Sequence, residues 1–392
     1  MGTKGDICRE TRYQIEIVKT ADRFAELRSA WERLVDRAGV SDYYSTHRWL
    51  QLWVEYFHPR SAHMLVLWDH DQIVSSIPMV RNVFNYHGLR IRRLALTRDW
   101  YAPISALLTT RNREEEIGIL LRHLASPAHR WDILDLDGLP PENRATEVLL
   151  SQISWLGWPC HEEEAFGNWI ITGFRSWDDY WESRHKRLKR ASLRHRKRLE
   201  ELGEVRTRII SNGEGIGLLF HQFHDVCERS WKKGVEQHPE FLQSTMRLAS
   251  ERGDFRIAFL ELNGEAIATW YAFIHGSTAY IPRTAYDARF RPYMPGLLLL
   301  EDFQRYLMKA DGVQTIDHQH GDEPYKSLWA NERRLRKRVV AANPRSWKGH
   351  LYVRAEYRHK PKLKATPAWR ALRCARDKMS AFPLFRAFRN AD

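Results

Sequence analysis

The residues best suited to chemistry begin in one stretch, Ala279–Leu300, which reads AYIPRTAYDARFRPYMPGLLLL. A strand ends there in a polar, proline-containing loop that feeds an apolar helix opening at Gly296. The first turn of a helix leaves backbone N–H groups unpaired and carries partial positive charge. A glycine at that turn lets a phosphate approach the backbone, and Arg289 and Arg291 add charge. Arg289, Arg291, Tyr293, Met294, Gly296 and Leu297 are therefore the candidate ligands of a pyrophosphate. The plainer alternative is that Pro295-Gly296 only starts a helix. Further on, Asp317-His318-Gln319-His320 places two histidines on one strand face, as a metal pair would be. There is no obvious third ligand, so neither zinc nor iron is expected. His320 is instead a candidate base, or a hydrogen-bonded loop histidine. Gly213-Glu214-Gly215-Ile216-Gly217 lacks the Lys-Ser/Thr of a nucleotide loop and reads as a turn before a helix.

Charge narrows the partners. The chain has 392 residues and a net charge of +13. Arg184–Arg198 holds nine Lys/Arg and no acid, and Arg333–Asp392 contributes a further +15, so the rest carries −11. A mildly acidic body thus bears one basic helix and a basic C-terminal segment. Such patches attract nucleic acid, anionic lipid, acidic proteins or cofactor phosphates, or simply keep a helix face solvated. In the C-terminal segment Trp369, Leu372, Phe382, Phe385 and Phe388 alternate with arginines, which suits an anionic surface, although Pro383 breaks any long helix. The 43% hydrophobic content excludes a wholly disordered chain. No run has the ~18 apolar residues of a membrane span, and Met1–Arg12 has no apolar signal core. Cys8, Cys160, Cys227 and Cys374 are too scattered for a zinc or disulfide framework. A cytoplasmic protein is expected.

Periodicity predicts an α/β protein. Strands are expected at 13–19, 64–68, 73–80, 89–96 and 131–136, with helices at 21–37, 46–57, 113–125 and 144–156. The order then repeats, with strands at 205–210, 255–262, 266–275, 279–285, 314–317 and 335–342. The helices of the second round are 217–230, 239–251, 296–309 and a short one at 323–331. Asn263-Gly264 signals a hairpin. One helix, Trp177–Leu202, bridges the rounds with Leu188, Ala191, Leu199 and Leu202 on its apolar face. The expected organisation is a flexible N-terminus (1–12), a first domain (13–175), a basic linking helix (176–204), a second domain (205–345) and a basic helical tail (346–392).

The repeated order and the 279–300 loop resemble the GNAT acyltransferase superfamily. The nearer likeness is to the cellulose-biosynthesis-type, or BioF2-like, acetyltransferases, which are related to Fem-type aminoacyl transferases. GNAT enzymes carry R/Q-x-x-G-x-G/A between a strand and a helix. Arg291-Pro292-Tyr293-Met294-Pro295-Gly296 supplies the arginine and the final glycine, with Met294 in the first glycine position. Tyr286-Asp287, Phe290 and Pro295-Gly296 fit the branch, as do Asp317 and Gly321-Asp322-Glu323-Pro324-Tyr325-Lys326.

The resemblance implies tandem GNAT-like domains, each a mixed, mostly antiparallel sheet flanked by helices. It implies N-acyl transfer from acetyl-CoA or another acyl-CoA to an amine, without a metal. The acceptor is a small molecule, a glycan precursor or a protein amine. Tyr325 is then the proton donor to the leaving thiolate, and Asp317, Asp322 and His320 are the groups that bind or deprotonate the amine. Lys326 and Tyr286 are expected to contact substrate. Two alternatives stand beside this: transfer of an aminoacyl group from charged tRNA held by Arg184–Arg198, and a non-catalytic adaptor for nucleic acid or a membrane surface.

Overall fold

The computed structural model describes residues 12–39, 42–99, 101–102, 107–110, 113–211, 215–230 and 238–359. The first-round strands are β1 (Tyr13–Val18), β2 (Met64–Asp69), β3 (Gln72–Ile77), β4 (Met79–Tyr86), β5 (Leu89–Leu96), β6 (Leu108–Thr109), β7 (Ile133–Leu139) and β8 (Cys160–Ile171). The second round supplies β9 (Val205–Ser211), β10 (Phe255–Leu262), β11 (Glu265–His275), β12 (Thr278–Tyr286), β13 (Thr315–His320) and β14 (Glu332–Ala342). Helices α1 (Ala21–Glu26), α2 (Arg28–Ala38), α3 (His47–Phe57), α4 (Arg113–Leu124), α5 (Arg144–Trp155), α6 (Trp177–Ser183) and α7 (Lys186–Glu200) fall in the first part. They are followed by α8 (Ile216–Glu228), α9 (Pro239–Ser250), α10 (Pro295–Lys309), α11 (Lys326–Trp329) and α12 (Trp347–Val353).

Two sheets result, in the orders β1-β2-β3-β6 and β4-β5-β7-β14-β8-β13-β12-β11-β10-β9. The larger one holds the two rounds together by exchange of a strand. After α5 the chain sends β8 across to pair with β13, and after α11 it sends β14 back to pair with β7. The exchanged strands lie side by side, antiparallel, at the centre. On either side of them sits the same feature: a short parallel pairing that soon parts. β12 and β13 pair only from Thr278↔Thr315 to Tyr280↔Asp317, and β5 and β7 only from Arg93↔Ile133 to Ala95↔Asp135.

Three local expectations change. The run 73–80 is two strands in different sheets, because Pro78 has no N–H to continue a ladder and the chain turns there. The linking helix is broken between α6 and α7: Arg184 is extended, its guanidinium donates to the Trp329 and Ala330 carbonyls, and His185 caps the second helix. The buried face of α7 is Leu188, Ser192, His195 and Leu199, while Leu202 is exposed. The expected helix at 323–331 shrinks to the single turn of α11. Strand β8 was not foreseen at all. The hairpin at Asn263-Gly264 forms as expected, with both residues at positive φ, the geometry of a type I′ turn.

Apolar burial joins the rounds. One cluster combines α2, α3 and β2 with α8, α9, β10, β11 and Tyr280 of β12. Within it Tyr43 stacks on Phe273 at 4.8 Å and Tyr44 meets Tyr280 edge-on at 5.8 Å. A second cluster packs α6, α7 and α10 on the opposite face of β10–β13. The β12/β13 parting therefore has α10 on one face and the first round on the other. A third cluster seats α4 and α5 on β5 and β7.

Candidate active site

The loop before α10 is a short helical turn, Ala288–Tyr293, entered through Asp287. Asp287 is fully buried and paired with Arg229 at 3.0 Å and Arg289 at 2.7 Å. Arg289 also reaches Glu265, so its charge is taken up in shaping the turn. Met294 then adopts φ 52°, ψ 49°, the left-handed conformation that a glycine takes without strain. The turn is thus kept with a methionine at its first glycine position. Met294 is 44% exposed and has little packing to lose. Met294→Gly is expected to stabilise the fold by up to about 1 kcal/mol, checked by the urea midpoint.

Inside the first turn of α10 the Leu297 and Leu298 amides donate back to the Met294 carbonyl. The Gly296 N–H donates to no backbone carbonyl among the described residues. Gly296 is needed for contact within the chain as well: a Cβ there would lie 3.3 Å from the Tyr286 ring. Its carbonyl accepts from Trp270 Nε1 at 3.0 Å. Arg291 is exposed with no carboxylate partner among the described residues.

The basic helix borders this loop. The Pro292 carbonyl lies close enough to act on the His195 imidazole, and the Arg198 guanidinium lies 5.2 Å from the Tyr293 ring centroid. Arg196 pairs with Asp302 at 3.0 Å, and Ser192 donates to Glu301. With that inner face fixed on α10, the exposed Lys186, Arg187, Arg190, Arg194, Lys197 and Arg198 have no carboxylate partner among the described residues.

Beyond the parting, Tyr325 packs on the α10 side, 6.2 Å from the Trp270 ring. Burial raises its phenol above the ordinary value, with Glu323 adding to the shift, so it keeps its proton at neutral pH. Lys326 is buried and donates to the His320 carbonyl at 2.7 Å, with Glu323 at 2.9 Å. It ties down its own loop. Asp322 is held by Arg333 through two bonds of 2.7 Å and by Trp169 Nε1, and the Arg333 pairing takes its carboxyl down to about 2. A carboxylate that acidic is a poor base.

The two histidines have separate jobs. His318 is buried beside Gln304, 3.1 Å away, and burial lowers it to about 3. His320 lies against Phe166 at 4.4 Å, with its basicity lowered by burial and by Arg98. Among the described residues no group of three His, Cys, Asp or Glu is placed to hold a metal.

On the opposite face of the sheet, a cleft of about 480 Å3 opens between the rounds, with Asp317, Tyr280, Arg336, Asp42, Glu142 and Arg113 in its lining. Asp317 is the last residue of β13 paired with β12 and is 4% exposed. Its Oδ1 accepts from Asn168 Nδ2 at 2.7 Å and from the Gln319 N–H at 2.6 Å. Asn168, at 0% exposure on the exchanged β8, turns its own oxygen to the Arg336 guanidinium at 2.7 Å. Arg336 also reaches Glu142 at 3.0 Å. Burial raises the Asp317 carboxyl above its ordinary value, opposed mainly by Arg336 and Asn168.

The other parting has an aspartate in the same place. Asp135 ends the β5/β7 pairing as Asp317 ends the β12/β13 pairing. Arg338 grips Asp135 directly with two bonds of 2.8 and 2.9 Å, and Arg93 adds a third at 3.2 Å. Asp317 meets its β14 arginine only through the neutral Asn168. One carboxylate is matched by two arginines; the other is positioned by an amide.

Residues 186–327 match the family model of the acetyltransferase (GNAT) domain. This segment belongs to the GNAT superfamily. The two rounds share one mixed α/β plan with mostly antiparallel pairing, and the GNAT domain matched over the second supports an acyltransferase. Its fold is similar to that of FemX (TM-score 0.56, 11% identity, 84% of this chain and 98% of that one). A conserved protein of unknown function from Bacteroides thetaiotaomicron gives 0.51 at 11% identity, with 84% and 99% covered. L-PGS from Bacillus licheniformis gives 0.50 at 13% identity, with 83% and 95% covered. At these identities the likeness is one of fold. No curated protein matches the chain.

In the GNAT frame, sequence reasoning singled out the loop, Asp317 and Tyr325 but missed Asn168, Arg336 and Asp42. The first two come from strands whose exchange no local pattern announces. Among the described residues no helix is long and apolar enough to cross a membrane. Trp231, the 213–214 turn residues, residues 1–11 and the tail from 360 onward lie outside the described residues.

Proposed function

We propose that the protein transfers an acyl group from acyl-CoA to an amine, with the donor on the α10 side of the β12/β13 parting and the acceptor in the cleft on the other side. The observation that carries this reading is the arrangement at the parting. Tyr325, which keeps its proton, packs on one face; a buried carboxylate with no direct cation partner among the described residues, Asp317, lines the other. The Gly296 amide, Arg291 and Arg198 fit the donor's phosphates, because each retains unused donors or charge beside one loop. Asp317 takes a proton from the acceptor ammonium, and the freed amine attacks the thioester carbonyl. The C–N bond forms, the C–S bond breaks, Tyr325 protonates the departing sulfur, and the second nitrogen proton leaves to solvent.

Titration calorimetry with acetyl-CoA tests the donor. Micromolar binding by the wild type should weaken at least ~10-fold in an Arg198→Glu/Arg291→Glu variant, since each charge reversal at a phosphate costs on the order of 1 kcal/mol or more. Silence with acetyl-CoA and longer acyl-CoA alike sinks this reading.

A second reading has its own observation: the six α7 cations without a carboxylate partner among the described residues exceed what one nucleotide donor needs. They suit an aminoacyl donor carried on tRNA, in keeping with the fold likeness to FemX. Neutralising about six phosphates gives a log–log salt slope near −4 to −5. Co-purification with tRNA that is shed by salt on that slope favours this donor.

A further inference from the structure

The cleft has an acidic floor and a cationic mouth. We infer that its occupant is a primary amine that also carries an anionic group, the ammonium seated among Asp42, Asp317 and Tyr44 and the anion met by Arg113. This rests on the acyl-transfer reading above and names the class of its acceptor.

Three observations carry the ammonium seat. Asp317 spends only Oδ1 on the protein, and Oδ2 has no partner among the described residues. Asp42, 8% exposed, comes from the first round and lines the same cleft. Its oxygens accept from the Tyr44 amide at 3.0 Å and the Ser45 hydroxyl at 2.9 Å, single bonds that leave lone pairs free on each oxygen. The Tyr44 hydroxyl is the independent sign of a ligand. Its side chain is 1% exposed and its oxygen makes no hydrogen bond among the described residues. It lies close enough to Asp42 and Asp317 that both charges act on it. A buried hydroxyl without a partner is costly. A floor with two carboxylates, backed by an unused hydroxyl that packs behind Tyr280 of the lining, is completed by a cation with three N–H donors, which is what a primary ammonium presents.

The mouth argues for the anion. Glu142 is engaged by Arg336 and Arg334, Arg334 also pairs with Glu332, and Arg144 pairs with Glu147. Arg113, at the start of α4, has no carboxylate partner among the described residues, so its guanidinium fork remains to grip a carboxylate or phosphate. A simple alkylamine leaves this group unused.

Two pairs of probes differing only in the anion make the test: cadaverine against lysine, and glucosamine against glucosamine 6-phosphate. Calorimetry without any acyl donor reads acceptor binding alone, so it can fail while acetyl-CoA binding succeeds, and the reverse. The anionic member of at least one pair should bind at least ~10-fold more tightly to the wild type. That preference should vanish in Arg113→Gln, and Asp42→Asn should abolish binding of both members, with circular dichroism unchanged in each variant. The proposal is overturned by equal binding within both pairs, by a preference that survives Arg113→Gln, or by no binding of any of the four. If lysine wins alone the anion is a carboxylate; if only the phosphate wins it is a phosphate.

Discussion

Asp317→Asn is expected to lower acyl transfer by about 10²- to 10³-fold in kcat, the usual contribution of a positioned general base, with acetyl-CoA affinity unchanged. The amide matches the carboxylate in shape and can still accept from the Gln319 N–H and from Asn168. What is lost is the capacity to take a proton. The same logic fixes the pH profile. Burial raises both Asp317 and Asp42, Asp42 to about 6, so activity should fall towards acid pH as these carboxylates become protonated. Stability should move the other way. A carboxyl raised in the folded state binds its proton more tightly than in the unfolded chain, so the fold loses stability as pH rises from the unfolded value through the folded one. For Asp42 that cost is roughly 3 kcal/mol at neutral pH. The isosteric amides should therefore hold or raise the urea midpoint at pH 7 while activity collapses. Lost activity with a lowered midpoint would instead mean that the carboxylates are structural. The rate is read by release of free thiol, and the pH series needs no other change.

Comparison of the two partings explains why one round is assigned the chemistry. The fold delivers an aspartate to both, since each is the residue at which a parallel strand loses its partner. Arg338 and Arg93 meet Asp135 with direct ion pairs, so its charge is already matched within the chain. At Asp317 the strand exchange inserts Asn168 between carboxylate and arginine. The uncharged amide orients Oδ1 and holds the guanidinium back. The first round thus serves by supplying Asn168, Asp42 and Glu142 to its neighbour. Neither round makes the site alone, and that follows from the strand order.

Much of this was legible in the residues, and the rest was hidden for a definite reason. Alternation and helical periodicity found most elements because those signals are local, and Asn263-Gly264 fixed its turn through backbone sterics. The Arg291–Gly296 pattern located the loop, although it could not show that Asp287 and Glu265 occupy Arg289. Strand β8 reads CHEEEAFGNWII, with four acids or histidines in its first five residues. Those polar groups meet lysine and arginine of β14 across the strands, as Glu162 does Lys337 and Glu163 does Arg338. A strand stabilised by charge pairs to a partner some 175 residues away carries no apolar alternation to detect. The cost of overlooking it was the network around Asp317. Trp169-Ile170-Ile171 at its end was the signal available.

That network sets the largest expected effect on stability. Arg336 is 4% exposed, donates twice to Asn168 and once to Glu142, and is the main cation acting on buried Asp317. Arg336→Met fills similar volume but removes all three bonds and the compensating charge. Breaking a buried charge arrangement from one side costs about 3–5 kcal/mol, because the remaining charge is left in a poor solvent. Glu142 is half exposed and can rehydrate, which favours the lower end of that range. Arg334 is the natural control: it sits two residues away on the same strand and also touches Glu142, but is partly exposed. Arg334→Met should cost no more than about 1 kcal/mol. A double-mutant cycle separates charge from packing. If Asp317 is the charge left stranded, Arg336→Met made in the Asp317→Asn background should cost at least about 1 kcal/mol less than in the wild type. Full additivity, or an Arg336→Met penalty equal to that of Arg334→Met, would mean that Arg336 does not hold the aspartate's charge. Asp317 would then need another source for its ionisation, and its assignment as the base would fall with it.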